Sequence, residues 1–189
     1  DGLAATGHLK GEEAEKYLKS KGKKGTDSKQ AFVAEMNREA CAMGLKSTRF
    51  ANPHGMHSKG HYSTAHDMAV LSSLAMRASG LLRSIVNTQA HSTHILNTRV
   101  GGPARHIVWN NTNVLIREPG YEGVKTGNTP AAQFCLSVQY RDPVSERVLI
   151  VVVLGSKSKD KRSADSKAVV EWEMARGAAH PAPNLPNQS

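Results

Sequence analysis

The sequence predicts an α+β (α/β) sandwich, an antiparallel sheet flanked by helices, and three patterns carry that expectation. Phe32, Val33, Met36, Ala40 and Met43 recur at helical spacing. The runs 134–140 and 148–154 read as strands joined by a turn around Asp142-Pro143. Ala168, Val169, Val170, Trp172 and Met174 then outline a closing helix. Helices before and after an antiparallel hairpin bury their apolar faces by stacking on it in layers. With 189 residues, 39% of them hydrophobic, the chain can supply a core, since domains of this size bury roughly 70% of their unfolded surface.

Residues 1–18 carry Ala4, Ala5, Leu9, Ala14 and Leu18 near helical spacing, interrupted by Gly7 and Gly11. The Lys-rich stretch 10–29 reads as a helix end running into a loop. Asp27 or Ser28 can cap the next helix and Gly44 can end it. Asn52-Pro53-His54-Gly55-Met56 is a turn cluster. Ser63 or Thr64 caps a helix with Asp67 in its first turn, carrying Met68, Ala69, Leu71, Leu74 and Ala75 to near Gly80. Residues 81–86 form a short successor, 89–99 a strand, and 105–115 an extended or turn-containing segment. Glu122 and Lys125 lead into a turn expected at 127–130. After the apolar run 148–154, read as a buried strand, Ser163 or Asp165 opens the last helix. The domain is expected over 1–176, with 177–189 a Pro-rich tail.

Charge and composition narrow the function classes. Lys and Arg number 25 against 16 Asp and Glu, a formal +9, which invites a polyanion partner. Much of the excess sits in 10–29, mixed with Glu12, Glu13, Glu15 and Asp27, as on a solvated face. Aromatics at 5% leave little for base stacking, so no specific nucleic-acid partner is expected. The apolar run 148–154 is far shorter than the roughly 20 residues of a membrane helix, and no transmembrane segment is expected. His54, His57, His61 and His66 cluster in sequence without a helix-borne His-x-x-x-His and acid, so neither a metal nor a cofactor is expected. Cys41 and Cys135 read as isolated core residues, and Glu122 as an exposed turn residue.

The segment richest in chemistry is Tyr121-Glu122-Gly123-Val124-Lys125-Thr126-Gly127-Asn128-Thr129. Lys, Thr and Gly in succession at a strand edge put a cation, a hydroxyl and an unobstructed backbone side by side. Such an edge can hold an extended peptide and its terminal carboxylate and aim an N–H at a developing oxyanion. Alone, the triplet reads as an ordinary strand-to-turn junction.

Its context is more specific. Ala31-Phe32-Val33-x-x-Met36-Asn37 with Gly44-Leu45, Phe50-x-Asn52-Pro53-His54-Gly55-Met56, Ser63-Thr64-Ala65-x-Asp67-Met68-Ala69, Trp109-x-Asn111-Thr112-Asn113, Gly123-Val124-Lys125-Thr126-Gly127-x-Thr129 and Val152-Val153-Leu154-Gly155-Ser156 occur in that order. Together they resemble the serine-type D-alanyl-D-alanine carboxypeptidases, the low-molecular-mass penicillin-binding proteins of peptidase family S11. The resemblance implies a β-lactamase/transpeptidase-like fold and acyl transfer through a covalent acyl-enzyme, blocked by β-lactams. It implies that Lys125 polarises the cleft, that Thr126 binds the substrate carboxylate, and that Gly127 leaves room for its backbone, with Thr129 beside them. The N–H of Asn128 would be an oxyanion donor, although the family often has His at that position. Arg162, in a turn at 159–162, falls near a family position that assists carboxylate binding. The family usually works outside the cytoplasmic membrane.

The chain departs from the family pattern in its first third. No Ser-x-x-Lys in a suitable context precedes the resembling region, and no Ser-x-Asn occurs there. Asp1-Gly2-Leu3-Ala4-Ala5 resembles the residues immediately after the family's Ser-x-Asn. The nucleophile is therefore expected outside this chain, on a complementary N-terminal fragment that completes the fold, with D-Ala-D-Ala peptides or β-lactams as ligands. A catalytically inactive relative acting as a ligand-binding or scaffold subunit is the alternative. A basic polyanion-associating subunit is a third class, resting on charge alone.

Overall fold

The computed structural model describes residues 28–97 and 102–179. The loosely helical 1–18 pattern, the Asp27 cap, most of the Lys-rich stretch and the tail beyond Ala179 lie outside them. Helix α1, Ser28–Ala42, ends as its sequence predicts. Gly44 adopts φ +75°, while Leu45 donates to the Ala40 carbonyl at 2.9 Å and Gly44 to that of Cys41 at 3.0 Å. This is a Schellman stop, with Leu45 buried just past the glycine. The following turn is built on Asn52, which accepts from Gly55 N–H and donates to the Met56 carbonyl, both at 2.8 Å.

Helix α2, Ala65–Ala78, starts at Thr64, whose hydroxyl accepts from Asp67 N–H at 3.1 Å. Asp67 does more than open the helix. It is buried and accepts from Ser47 N–H at 2.8 Å and the Thr48 hydroxyl at 2.7 Å, pinning α2 to the loop after α1. Helix α3, Gly80–Asn87, is followed by a two-stranded antiparallel ribbon, β1 (Ala90–Asn97) with β2 (Gly102–Asn110). Asn111 ties down the base of the ribbon through Gln89, Val86 and Thr88. A 3-10 turn, Val114–Arg117, overlaps the end of the segment read as extended or turn-containing, whose first part is β2. It is nucleated by Asn113, whose side chain accepts from Leu115 N–H.

The main sheet is the antiparallel meander β3 (Tyr121–Thr129), β4 (Gln133–Arg141) and β5 (Val148–Ser156), in that order. Helix α4 (Lys159–Ala179) covers one face. Leu136 and Val138 point there from β4, Val151 from β5, and they form the core with Leu115 and Val170. Each fully buried Leu or Val contributes about 1.5–3 kcal/mol. Alternate residues face the other way; Ser137 meets Ser72 of α2 hydroxyl to hydroxyl at 2.7 Å. The result is the expected sandwich, α2 and α3 on one face and α4 on the other.

Several expectations need correction. β3 continues through Gly127, Asn128 and Thr129, which pair with Cys135, Phe134 and Gln133, so the turn begins at Pro130. Ladder bonding overrides the Gly-Asn-Thr-Pro turn signal. Helix α4 opens at Lys159 because Ser158 caps it, accepting from Lys161 N–H at 3.0 Å, so Arg162 lies in the first helical turn. The same helix reaches Ala179, three residues into the expected tail. Strand β5 is not uniformly buried: Val151 is, while Val148 and Leu154 are exposed. Glu122 is a half-buried strand residue that accepts from the Gln139 amide at 2.6 Å and pairs with Arg141 at 3.4 Å. Cys41 is exposed and Cys135 half-buried, so neither is a core residue.

Candidate active site

Among the described residues strand β3 pairs only with β4, so alternate peptide groups along it face away from that sheet. Its first part is held by a bulge between Glu122 and Lys125. At that bulge Gly123 donates to Asn87 Oδ1 at 2.6 Å and its carbonyl accepts from Asn113 Nδ2 at 2.5 Å. A side chain at Gly123 would put its Cβ 2.5 Å from Val86 Cγ2, and its φ is +32°, so glycine is imposed there by packing. The bulge bends the strand and sets the direction of the residues beyond it.

Past the bulge, Lys125 is exposed and aligned with Ser137 across the ladder, on the face toward α2. Its Nζ donates to the Thr126 carbonyl. Thr126 points to the opposite face, where its hydroxyl meets that of Thr112. Gly127 has no such packing demand as Gly123: an added Cβ would meet only Cys135 Cβ, at an ordinary 3.8 Å. The fold itself tolerates a side chain at Gly127, and its absence leaves the backbone there open to close approach.

Arg162 lies behind this edge, 4% exposed. Its Nη1 donates to the Cys135 carbonyl at 3.3 Å and its Nη2 to that of Thr112 at 3.4 Å, and Nε is buried without a partner. Both bonds are long and neither acceptor is charged, so the guanidinium is under-compensated. Burial draws its pKa below the ordinary arginine value. Cys135 pairs with Gly127 and Thr112 binds Thr126, so the buried cation sits one residue behind both edge positions.

Lys125, Thr126, Gly127, Asn128 and Thr129 all line one open cleft of about 590 Å³, with Met68, Leu71 and Ser72 of α2 and the His54-Gly55-Met56 turn opposite. No Asp or Glu is among the lining residues, and the cleft's Lys125 suits an anionic ligand. Among the described residues no group of three or more His, Cys, Asp or Glu could hold a metal. Thr112, Ser72, Ser137 and Cys135 also belong to the site's surroundings, and sequence reasoning does not single them out. Thr112 lies inside the Asn-Thr-Asn motif, but its contact spans fourteen residues and has no local signal.

A family model described as D-alanyl-D-alanine carboxypeptidase matches residues 23–158. The chain belongs to that family. DacF, a D-alanyl-D-alanine carboxypeptidase of Bacillus subtilis (strain 168), is 31% identical over 154 residues, covering 82% of this chain and 38% of that protein. The D-alanyl-D-alanine carboxypeptidase of Streptomyces sp. (strain K15) is 31% identical over 147 residues, 77% of this chain and 49% of its own length. The crystal structure of the Streptomyces K15 DD-transpeptidase superposes with a TM-score of 0.70 at 31% identity, covering 80% of this chain and 59% of that one. The family likeness thus gives the sandwich its identity as part of a penicillin-binding DD-peptidase fold, while the chain spans less than half the length of these two relatives.

Proposed function

We propose that this chain supplies the Lys-Thr-Gly wall of a serine-type D-alanyl-D-alanine carboxypeptidase. The observation that carries the reading is the arrangement of Thr126 and Gly127 along a strand edge that is unpaired among the described residues, with buried Arg162 behind it and a cleft alongside whose described lining holds no Asp or Glu. In the proposed reaction a serine Oγ attacks the carbonyl of a D-Ala-D-Ala bond. The Asn128 N–H stabilises the oxyanion, the terminal D-Ala leaves as its amine, and water hydrolyses the acyl-enzyme. Thr126 donates to the substrate's terminal carboxylate, Gly127 admits its backbone, Thr129 lines the same edge, Arg162 adds positive field behind them, and Lys125 orients and polarises the serine side of the cleft.

The serine and its lysine come, in this reading, from polypeptide carrying Ser-x-x-Lys and Ser-x-Asn outside these residues. That segment must enter the cleft between α2 and β3 to reach Lys125. The exposed apolar side chain of Leu154 lines the same cleft, and such a segment would cover it. Its place of work is proposed to be outside the cytoplasmic membrane; among the described residues no single helix is long and apolar enough to cross one.

Fluorescent penicillin labelling, followed by the intact mass of every labelled polypeptide, tests the proposal. A covalent adduct is expected on a segment bearing Ser-x-x-Lys, and it is expected to be lost in Lys125→Ala. An adduct on the 189-residue chain itself would overturn the placement of the nucleophile. The absence of any adduct when the complementary segment is present would favour an inactive ligand-binding relative.

A further inference from the structure

The ribbon of β1 and β2 carries a histidine pair for which the proposed reaction has no use. His94 and His106 are direct cross-strand partners and both are exposed. Their ring centroids lie 4.9 Å apart with the planes inclined by 39°. We propose that the pair is a bidentate site for a late first-row divalent metal ion, Cu²⁺ foremost, with water completing the coordination.

The spacing fits that use. An imidazole nitrogen binds such an ion at about 2.0–2.1 Å, and the ring centre lies roughly 1.1 Å behind it. Two rings in adjacent coordination positions, at roughly 90–110°, therefore have centroids about 4.5–5.1 Å apart. The observed separation falls inside this window, so the ribbon presents the pair without moving its backbone. Once one ring has bound, capture by the second is intramolecular. Ser92 and Val108, the cross-strand pair next along that face, are small and uncharged and leave the approach open to solvent. His91 cannot be a third ligand: it stacks with Trp109 on the opposite face, at 6.1 Å and 21°. Imidazole donors rank Cu²⁺ above the neighbouring divalent ions.

The consequence is mechanical as well as chemical, because a two-stranded ribbon is marginally stable by itself and a bridging ion fastens one strand to the other. Amide hydrogen exchange of the full chain, with and without one equivalent of Cu²⁺, reads this directly. Exchange in 90–97 and 102–110 is expected to slow roughly tenfold or more on adding Cu²⁺. His94→Gln and His106→Gln are each expected to abolish the slowing, the double variant adding nothing further, and His57→Gln to leave it intact. Either an unchanged parent ribbon or equal slowing in the His94 and His106 variants would overturn the site.

Discussion

The hydroxyls of Thr112 and Thr126 meet at 2.6 Å, joining the loop after β2 to the middle of β3. The carbonyl of Thr112 also receives the Arg162 guanidinium, so one loop residue links the proposed carboxylate-binding hydroxyl to the cation behind it.

Thr126→Ala is therefore expected to slow β-lactam acylation of the assembled enzyme by roughly 10- to 150-fold, the loss of about 1.5–3 kcal/mol for a hydrogen bond to a charged partner. Thr112→Ala, which only frees the Thr126 hydroxyl to rotate, should act more weakly in the same direction. Stopped-flow acylation rates measure both. An acylation rate for Thr126→Ala equal to that of the parent would remove Thr126 from the site.

The glycines at 123 and 127 should separate folding from binding. Gly123→Ala puts a Cβ against Val86 and is expected to destabilise by about 1–3 kcal/mol. Gly127→Ala meets no such obstacle and should leave the stability within about 0.5 kcal/mol of the parent while weakening ligand binding. Urea titration and a penicillin-binding assay on the same two variants decide the matter.

Arg162→Met removes the buried charge while keeping much of the aliphatic bulk. It is expected to weaken ligands with a free terminal carboxylate and to spare their carboxamide counterparts, because the effect acts on the anion. Competition binding with a matched acid and amide pair would show equal losses if Arg162 were only a packing residue.

Asp67 predicts an acid-sensitive junction between α2 and the loop after α1. The Thr48 hydroxyl first, then Ser47 N–H, hold its carboxyl below the ordinary value of 3.8. A depressed folded pKa gives stability that is fully present above the unfolded value and is lost as pH falls through the folded one. The contribution of Asp67 should therefore be flat at neutral pH and decline below about pH 4. Asp67→Asn should flatten that decline and lower stability at neutral pH, as followed by urea midpoints across the range.

Much of this architecture is legible in the sequence because local chemistry and tertiary packing agree. Gly44 and Thr64 act where their caps are expected, and the apolar periods of β4 and β5 match the meander. The departures have a common physical source: polar residues used inside elements. Helix α4 begins four residues before Ser163 because its first turns bury Arg162 and Ser166, where an apolar period gives no signal. Gly127-Asn128-Thr129 has turn composition but is extended by pairing with β4. In the site, Lys125, Thr126 and Gly127 share one edge and Arg162 stands behind it, positions that motif order and the family resemblance single out and hydrophobic periodicity does not. Thr112, Ser72 and Ser137 escape a sequence reading because each is defined by a partner distant along the chain.

The outer edge of β5 has a further consequence. Among the described residues no strand pairs with it, and its first seven residues, Val-Leu-Ile-Val-Val-Val-Leu, contain neither charge nor proline. Such a segment is a template for cross-β self-assembly. Whatever strand lies against β5 would then serve as a guard against fibril formation, and the shelf life of a purified sample would be set by how tightly that guard is held.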